Sequence, residues 1–175
     1  MEGSVSWAKS KSAGDTAETL VIGLFESLKT VVAERNLDKL VKWDVKVQYP
    51  TDTFLFEIKH DLYHARSGNL AIEFHNNKSG KPSGLEITDA DIWIHVLPDP
   101  LVIWATSVAN LKIFTKTTVP LKTITGAGDG NACLHIYKDS IILPAVFTRI
   151  DNLEPKKLKT CLKKLLAEKL PRIQT

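Results

Sequence analysis

Five polar residues stand on alternate positions inside two otherwise apolar stretches: Glu57, Lys59 and Asp61 in the first, and Glu73 and His75 in the second. Side chains two apart on a strand share a face. Each polar set therefore lines one side of its strand, with Phe54, Phe56 and Ile58, or Leu70, Ile72 and Phe74, on the other side. These apolar sets are aromatic and branched, as a buried strand face requires. A hairpin through Tyr63 to Gly68 would set Asp61 opposite Glu73 and Lys59 opposite His75. Burying both apolar faces would then gather all five polar residues, because a one-residue slip flips a whole strand. Carboxylates directly across from each other repel. A divalent cation held between them turns that repulsion into a binding site, since hard cations such as Mg2+ take carboxylate oxygens and keep waters that a phosphate can replace.

An aspartate near the end of one strand, then a glutamate in the next followed two residues later by a third polar group, resembles the active-site hairpin of the PD-(D/E)XK nuclease superfamily. Here those residues are Asp61, Glu73 and His75. The order Glu57-x-Lys59-x-Asp61, Gly68-Asn69, Glu73, then Gly80-Lys81-Pro82-Ser83-Gly84, then Ala90-Asp91 ahead of Trp93 is similar to phage and prokaryotic endonuclease-like members, over roughly Trp43 to Phe114. The resemblance implies an α/β fold of the restriction-endonuclease type, a mixed central β-sheet flanked by helices. It also implies an endodeoxyribonuclease that hydrolyses DNA phosphodiester bonds with Mg2+ or Mn2+, with structure-specific substrates among those it would cut. Asp61 and Glu73, with Glu57 or the main-chain carbonyl after Glu73, would hold the metal; Lys59 or His75 would orient the attacking water or stabilise the developing charge. Cutting two strands commonly recruits a homodimer. The setting implied is a prokaryotic cytoplasm, or a host cytoplasm for a phage-encoded or virus-encoded protein.

Two departures keep alternatives open. The superfamily's usual lysine is replaced by His75, which is mostly neutral at pH 7, so Lys59 would supply the missing charge. The triplet Glu57-Ile58-Lys59 is itself a literal Glu-x-Lys with Asp44 upstream, which moves the site by one strand. The register through Asp61 and Glu73 is preferred because Gly68-Asn69 and the Gly80 to Gly84 loop flank it. The histidine also favours a second function, a catalytically inactive nuclease-fold module that binds nucleic acid or a protein partner. A third reading makes Glu57, Lys59, Asp61 and Glu73 a structural ion network, in which exposed pairs contribute only ~0.2 to 1 kcal/mol each.

The elements that must position these groups follow from pattern. Residues 1–14 are Ser, Gly and Lys rich and are expected to be flexible. Residues 15–120 would form the nuclease-like core, and 121–175 would add strands and a basic helix to the same domain. Asp15 or Thr16 offers an N-cap, after which Leu20, Leu24, Leu28 and Val31 keep helical spacing to about Arg35. Glu18 lies at the edge of that stripe and is a candidate additional acid. Residues 36–41 read as a short helix or a turn. The stretch 44–49 alternates as a strand before the Pro50-Thr51-Asp52 punctuation, predicting three successive antiparallel strands. Further on, 92–97 and 101–106 read as strands around Pro98-Asp99-Pro100, and Ser107 caps a helix over 108–115. Asp91 either joins the metal site or starts its strand. Thr123 to Asn131 reads as a glycine-rich loop and 132–150 as one or two strands. A helix over 154–169 would bury Leu158, Cys161, Leu162, Leu165 and Leu166 beneath a lysine face that includes Lys156 and Lys163.

Composition narrows the field. One domain with a sizeable core suits 175 residues. The net charge of +3 permits a nucleic-acid partner without requiring one. Lys78, Lys81 and Ser83 lie on a loop that would emerge beyond Glu73 and meet a phosphate backbone; Lys156 and Lys163 would add sequence-independent contacts. The loop is not a Walker A sequence, and the later glycines do not make a nucleotide fingerprint. Cys133 and Cys161 stand far apart, outside any metal or disulfide pattern, and read as reduced thiols. No apolar run approaches the roughly 20 residues of a membrane span, and the first residues lack an apolar leader core.

Overall fold

The computed structural model describes residues 7–28, 30–38, 40–127 and 131–167, with side-chain surroundings described for these apart from 7–13, 155 and 156. In chain order the elements are α1 (Trp7–Glu26), β1 (Val32–Arg35), β2 (Val45–Tyr49), β3 (Asp52–His60), α2 (His64–Ser67), β4 (Asn69–Asn76) and β5 (Lys81–Pro82). A single 3-10 turn, Gly84–Glu86, leads to β6 (Ile92–Pro98), β7 (Leu101–Ser107), α3 (Val108–Thr117) and β8 (Lys122–Ala127). The chain continues as β9 (Ala132–Lys138), α4 (Asp139–Val146), β10 (Thr148–Arg149) and α5 (Pro155–Ala167).

These strands form two sheets, a six-stranded mixed one in the order β1-β2-β3-β6-β7-β10 and a four-stranded one in the order β5-β4-β9-β8. Strand β3 pairs antiparallel with β2 and parallel with β6. A parallel neighbour cannot be reached by a hairpin, so the chain leaves the first sheet after β3 and lays down β4 and β5 before returning as β6. Phe54, Phe56 and Ile58 are buried on one face of β3 beneath Ala17, Val21 and Phe25 of α1 and share a core with Leu158, Leu162 and Leu165 of α5. The opposite face carries Leu55, Trp93 and Trp104, packed with Leu70, Ile72 and Tyr137 of the second sheet and with Leu111 and Phe114 of α3. The first sheet is thus a layer between two helices and the second sheet, which is the mixed central sheet with flanking helices that the resemblance implied.

Several local expectations are overturned by tertiary pairing. There is no β3–β4 hairpin: β4 pairs with β5 and β9 instead. Helix α1 begins at Trp7, eight residues before Asp15, in a stretch of alanine and lysine that propagates a helix readily, and ends at Glu26. Val32–Arg35 is a strand that covers the edge of β2, with Val32 opposite Gln48 and Arg35 opposite Val45. Lys122–Ala127, expected in part as loop, is a strand against β9, and its register shift falls at Gly126, whose φ of +73° suits the extra residue of a bulge. Residues 139–146, expected as strand, form a helix that buries Ile142 and Val146 one turn apart. In α5, Leu166 is exposed at the edge of the buried stripe rather than within it. Among the described residues no helix is long and apolar enough to cross a membrane.

Phe56 is fully buried with its ring 5.3 Å from that of Phe25, where α1 meets the central strand. Phe56→Ala is expected to destabilise the fold by about 3 to 5 kcal/mol, measured as a lower midpoint in urea with an unchanged slope.

Candidate active site

The register of β2 on β3, Val45 opposite Phe56 and Lys46 opposite Leu55, continues one step to place Asp44 across from Glu57. Three main-chain contacts hold Asp44 there. Its N–H donates to the Phe56 carbonyl at 2.8 Å, its carbonyl accepts from Asn36 N–H at 2.7 Å, and its Oδ2 accepts from Ile58 N–H at 2.7 Å. Glu57 shares the face of Leu55, between the two sheets, and is buried. Its Oε1 lies 2.6 Å from Lys59 Nζ, and its Oε2 accepts from the Thr88 hydroxyl at 3.0 Å. Glu18 reaches the same place from α1, steered by Arg35 Nε at 2.7 Å. Asp44, Glu57, Glu18, Trp43, Lys42 and Thr88 line a cavity of about 310 Å³.

Burial and mutual repulsion set the electrostatics. Desolvation, and then the Glu57 charge, push the Asp44 carboxyl up to about 6, against the opposing pull of Lys59 and the Ile58 amide. Glu18 is also raised, by burial first and then by Asp44, with Arg35 opposing. Burial alone would lower the Lys59 ammonium, but Glu57 and Asp44 outweigh it and hold the lysine protonated. Its cation also lies 5.3 Å from the Trp93 ring centre. The result is a carboxylate pair, Glu57 buried and Asp44 half-buried, with one ammonium paired to Glu57 and close enough for its charge to act on Asp44.

The other site residues expected from sequence are distributed as follows. Asp61 is not opposite Glu73, since β3 and β4 lie in different sheets. Asp61 Oδ1 accepts from the N–H groups of Tyr63 and His64, both at 3.1 Å, and so shapes the entry to α2. Glu73 accepts from the Ser83 hydroxyl at 2.7 Å and lies close enough for its charge to act on Lys59. Glu73 and His75 do not share a face. A register shift between them sets Glu73 opposite Leu134 and His75 opposite Cys133, neighbours that point to opposite sides of β9. Asp91 ties strands together, its Oδ2 accepting from Leu55 N–H at 3.0 Å.

Lys78 and Lys81 are exposed on the loop leading to Ser83. That loop is pressed against β4, because a Cβ on Gly84 would lie 2.5 Å from the Glu73 carbonyl oxygen. Lys163 and Lys159 both pair with Asp52, at 2.9 and 2.7 Å, so part of the basic face of α5 is already neutralised by the β2–β3 turn. The side chain of Lys156 lies outside the described residues. Two groups that the sequence did not single out are Thr88, which orients Glu57, and His95, which neighbours Lys59 across the parallel β3–β6 pairing. Only that long-range pairing identifies His95; locally it is one alternate residue of a strand.

The fold is shared with a solved bacterial homing endonuclease, I-Ssp6803I, at a TM-score of 0.50 and 11% sequence identity, over 91% of this chain and 97% of that one. No family model matches the chain. No curated protein matches it either.

Among the described residues no three His, Cys, Asp or Glu side chains form a closed metal cage. The donor set fits a hard cation that keeps most of its water: two facing carboxylates, Asp44 and Glu57, beside an open cavity, with Glu18 nearby.

The raised Asp44 carboxyl fixes the sign of a pH effect. A group whose folded pKa exceeds its unfolded value favours folding only while protonated, so its contribution is present near pH 4 and lost as pH rises through about 6. In EDTA, Asp44→Asn is expected to be more stable than wild type at pH 7.5 by about 1 to 3 kcal/mol. The difference should vanish near pH 4, as read from urea unfolding at both values.

Proposed function

We propose that this protein is a metal-dependent endodeoxyribonuclease of the PD-(D/E)XK type, hydrolysing DNA phosphodiester bonds at a site made of Asp44, Glu57 and Lys59. The observation that carries this reading is the facing pair Asp44 and Glu57, with Lys59 two residues beyond Glu57 on the same strand face. That is the aspartate, glutamate and lysine order of the motif, reached through the alternative register rather than through Asp61, Glu73 and His75. The fold held in common with a bacterial homing endonuclease supports it.

Asp44 and Glu57, assisted by the carbonyl of Ile58 or by Glu18, would hold Mg2+ or Mn2+. When bound, the ion would polarise the phosphoryl oxygen and make a coordinated water more acidic. Lys59, kept protonated by the two carboxylates, would donate to the attacking water or to a phosphate oxygen as negative charge builds. Thr88 would keep Glu57 from rotating away when Lys59 leaves it for substrate. Ser83 would hold Glu73 where its charge adds to the field on Lys59. Lys78 and Lys81, exposed on the loop beyond, would meet the phosphate backbone without reading sequence. A homodimer would present two such sites to the two strands.

One observation favours a second reading, a nuclease-fold module that binds DNA without cutting it. Both oxygens of Glu57 are engaged, one by Lys59 and one by Thr88. Incubation of supercoiled, linear and branched DNA with Mg2+, Mn2+ or EDTA separates the two. Cleavage is expected with metal only, reduced at least about 100-fold in Asp44→Ala, Glu57→Ala and Lys59→Ala, the scale of losing a transition-state group. Asp61→Ala should retain it. DNA binding with no cleavage under any condition would establish the module instead.

A further inference from the structure

Two cavities of different character lie near Lys59, which lines the second and pairs with Glu57 of the first at 2.6 Å. The first is the acidic one that holds Asp44 and Glu57. The second, of about 680 Å³, lies where the end of β3 faces the second sheet, and its walls include Lys59, His95, Asn69, Ile124, Leu134 and Ile136. Leu134, Ile136 and Ile124 come from β9 and β8 and present an aliphatic surface. Asn69 and Lys59 add hydrogen-bonding groups around it. His95 is the unusual member: it is 1% exposed, yet neither ring nitrogen has a hydrogen-bond partner. A buried polar group left unpaired costs free energy, so a fully buried imidazole with both nitrogens unpaired beside an open cavity marks a place for a ligand that both donates and accepts.

The shape and chemistry suit one kind of ligand. The volume falls in the range of small-molecule sites, which are largely apolar with a few fixed polar groups. A flat heteroaromatic ring would lie on the aliphatic wall and meet His95 with its polar edge. An anionic group attached to that ring would reach Lys59, and Lys122 stands among the residues that line the same cavity. We propose that this cavity takes a single unstacked nucleoside of the nucleic-acid strand, whose adjoining phosphate is the one presented to Lys59 and the carboxylate pair. The inference rests on the nuclease reading for its substrate strand, and it adds that the enzyme holds one nucleotide out of the stack beside the bond it cuts. Enzymes that do so read the extruded base by its polar edge and by contact with apolar side chains.

Burial first, and then the positive charges of Lys59 and His64, push the His95 imidazole down to about 3. It is therefore neutral across the physiological range and carries one donor and one acceptor nitrogen, as base-edge pairing needs.

The test is titration of the full-length protein, in EDTA, with each of the four deoxynucleoside 5′-monophosphates and with deoxyribose 5-phosphate, followed by calorimetry and by chemical-shift changes. At least one nucleotide is expected to bind at least about tenfold more tightly than the sugar phosphate, since one desolvated hydrogen bond together with ring burial is worth that much. His95→Phe, which keeps a ring but loses both nitrogens, should weaken that nucleotide to the sugar-phosphate level. Leu134→Trp, which fills the cavity from a half-buried position, should abolish binding. Equal affinity for nucleotides and sugar phosphate, or wild-type affinity in both His95→Phe and Leu134→Trp, overturns the proposal. Nucleotide binding that persists in a protein unable to cut DNA overturns the nuclease reading and leaves the nucleoside site standing.

Discussion

The parallel pairing of β3 with β6 is the constraint from which the rest of the molecule follows. Because a parallel neighbour needs a long crossover, the chain between them must leave the first sheet, and it uses that excursion to begin a second one. The second sheet in turn covers the face of β3 that carries Glu57 and Lys59. Without it those groups would project into water, where their interactions would be screened and weak. The same pairing brings His95 beside Lys59 and leaves space between the sheets. A single topological choice therefore covers Glu57 and Lys59, sets their neighbours and leaves the cavity between the sheets.

Burial makes the carboxylate pair costly, and the surroundings show how that cost is contained. Asp44 is fixed by main-chain groups at both its amide and its side chain, so it cannot swing away from Glu57. Thr88 and Lys59 occupy the oxygens of Glu57. Arg35 steers Glu18 toward the pair while partly offsetting its charge. The arrangement is less stable with Asp44 ionised than with Asp44 neutral.

Much of the fold was legible in the sequence. The alternation of Phe54, Phe56 and Ile58 announces a strand with one buried face, and the structure buries all three. Pro98-Asp99-Pro100 announces the turn that joins β6 to β7, and the mixed sheet with flanking helices matches the fold class expected from the motif order. Less legible were segments whose state depends on a distant partner. Val32–Arg35 is a strand because β2 offers an open edge, and Asp139–Val146 is a helix because Ile142 and Val146 find the second core one turn apart. Local propensity is a weak prior against such packing.

The site divides along the same line. The sequence by itself determined which residues could do the chemistry: Glu57, Lys59 and Glu73 on alternating positions of strands, Glu18 on a helix edge, and Asp44 at a workable distance upstream. It also determined the two candidate registers, because period-two alternation is a local property of the chain. Which carboxylates face each other was decided only by tertiary structure. The hairpin that would have joined Asp61 to Glu73 competes with the β2–β3 pairing and the parallel β6, and a strand has only two edges on which to pair. With both edges of β3 taken, β4 had to pair elsewhere, and Asp44 came to lie across from Glu57.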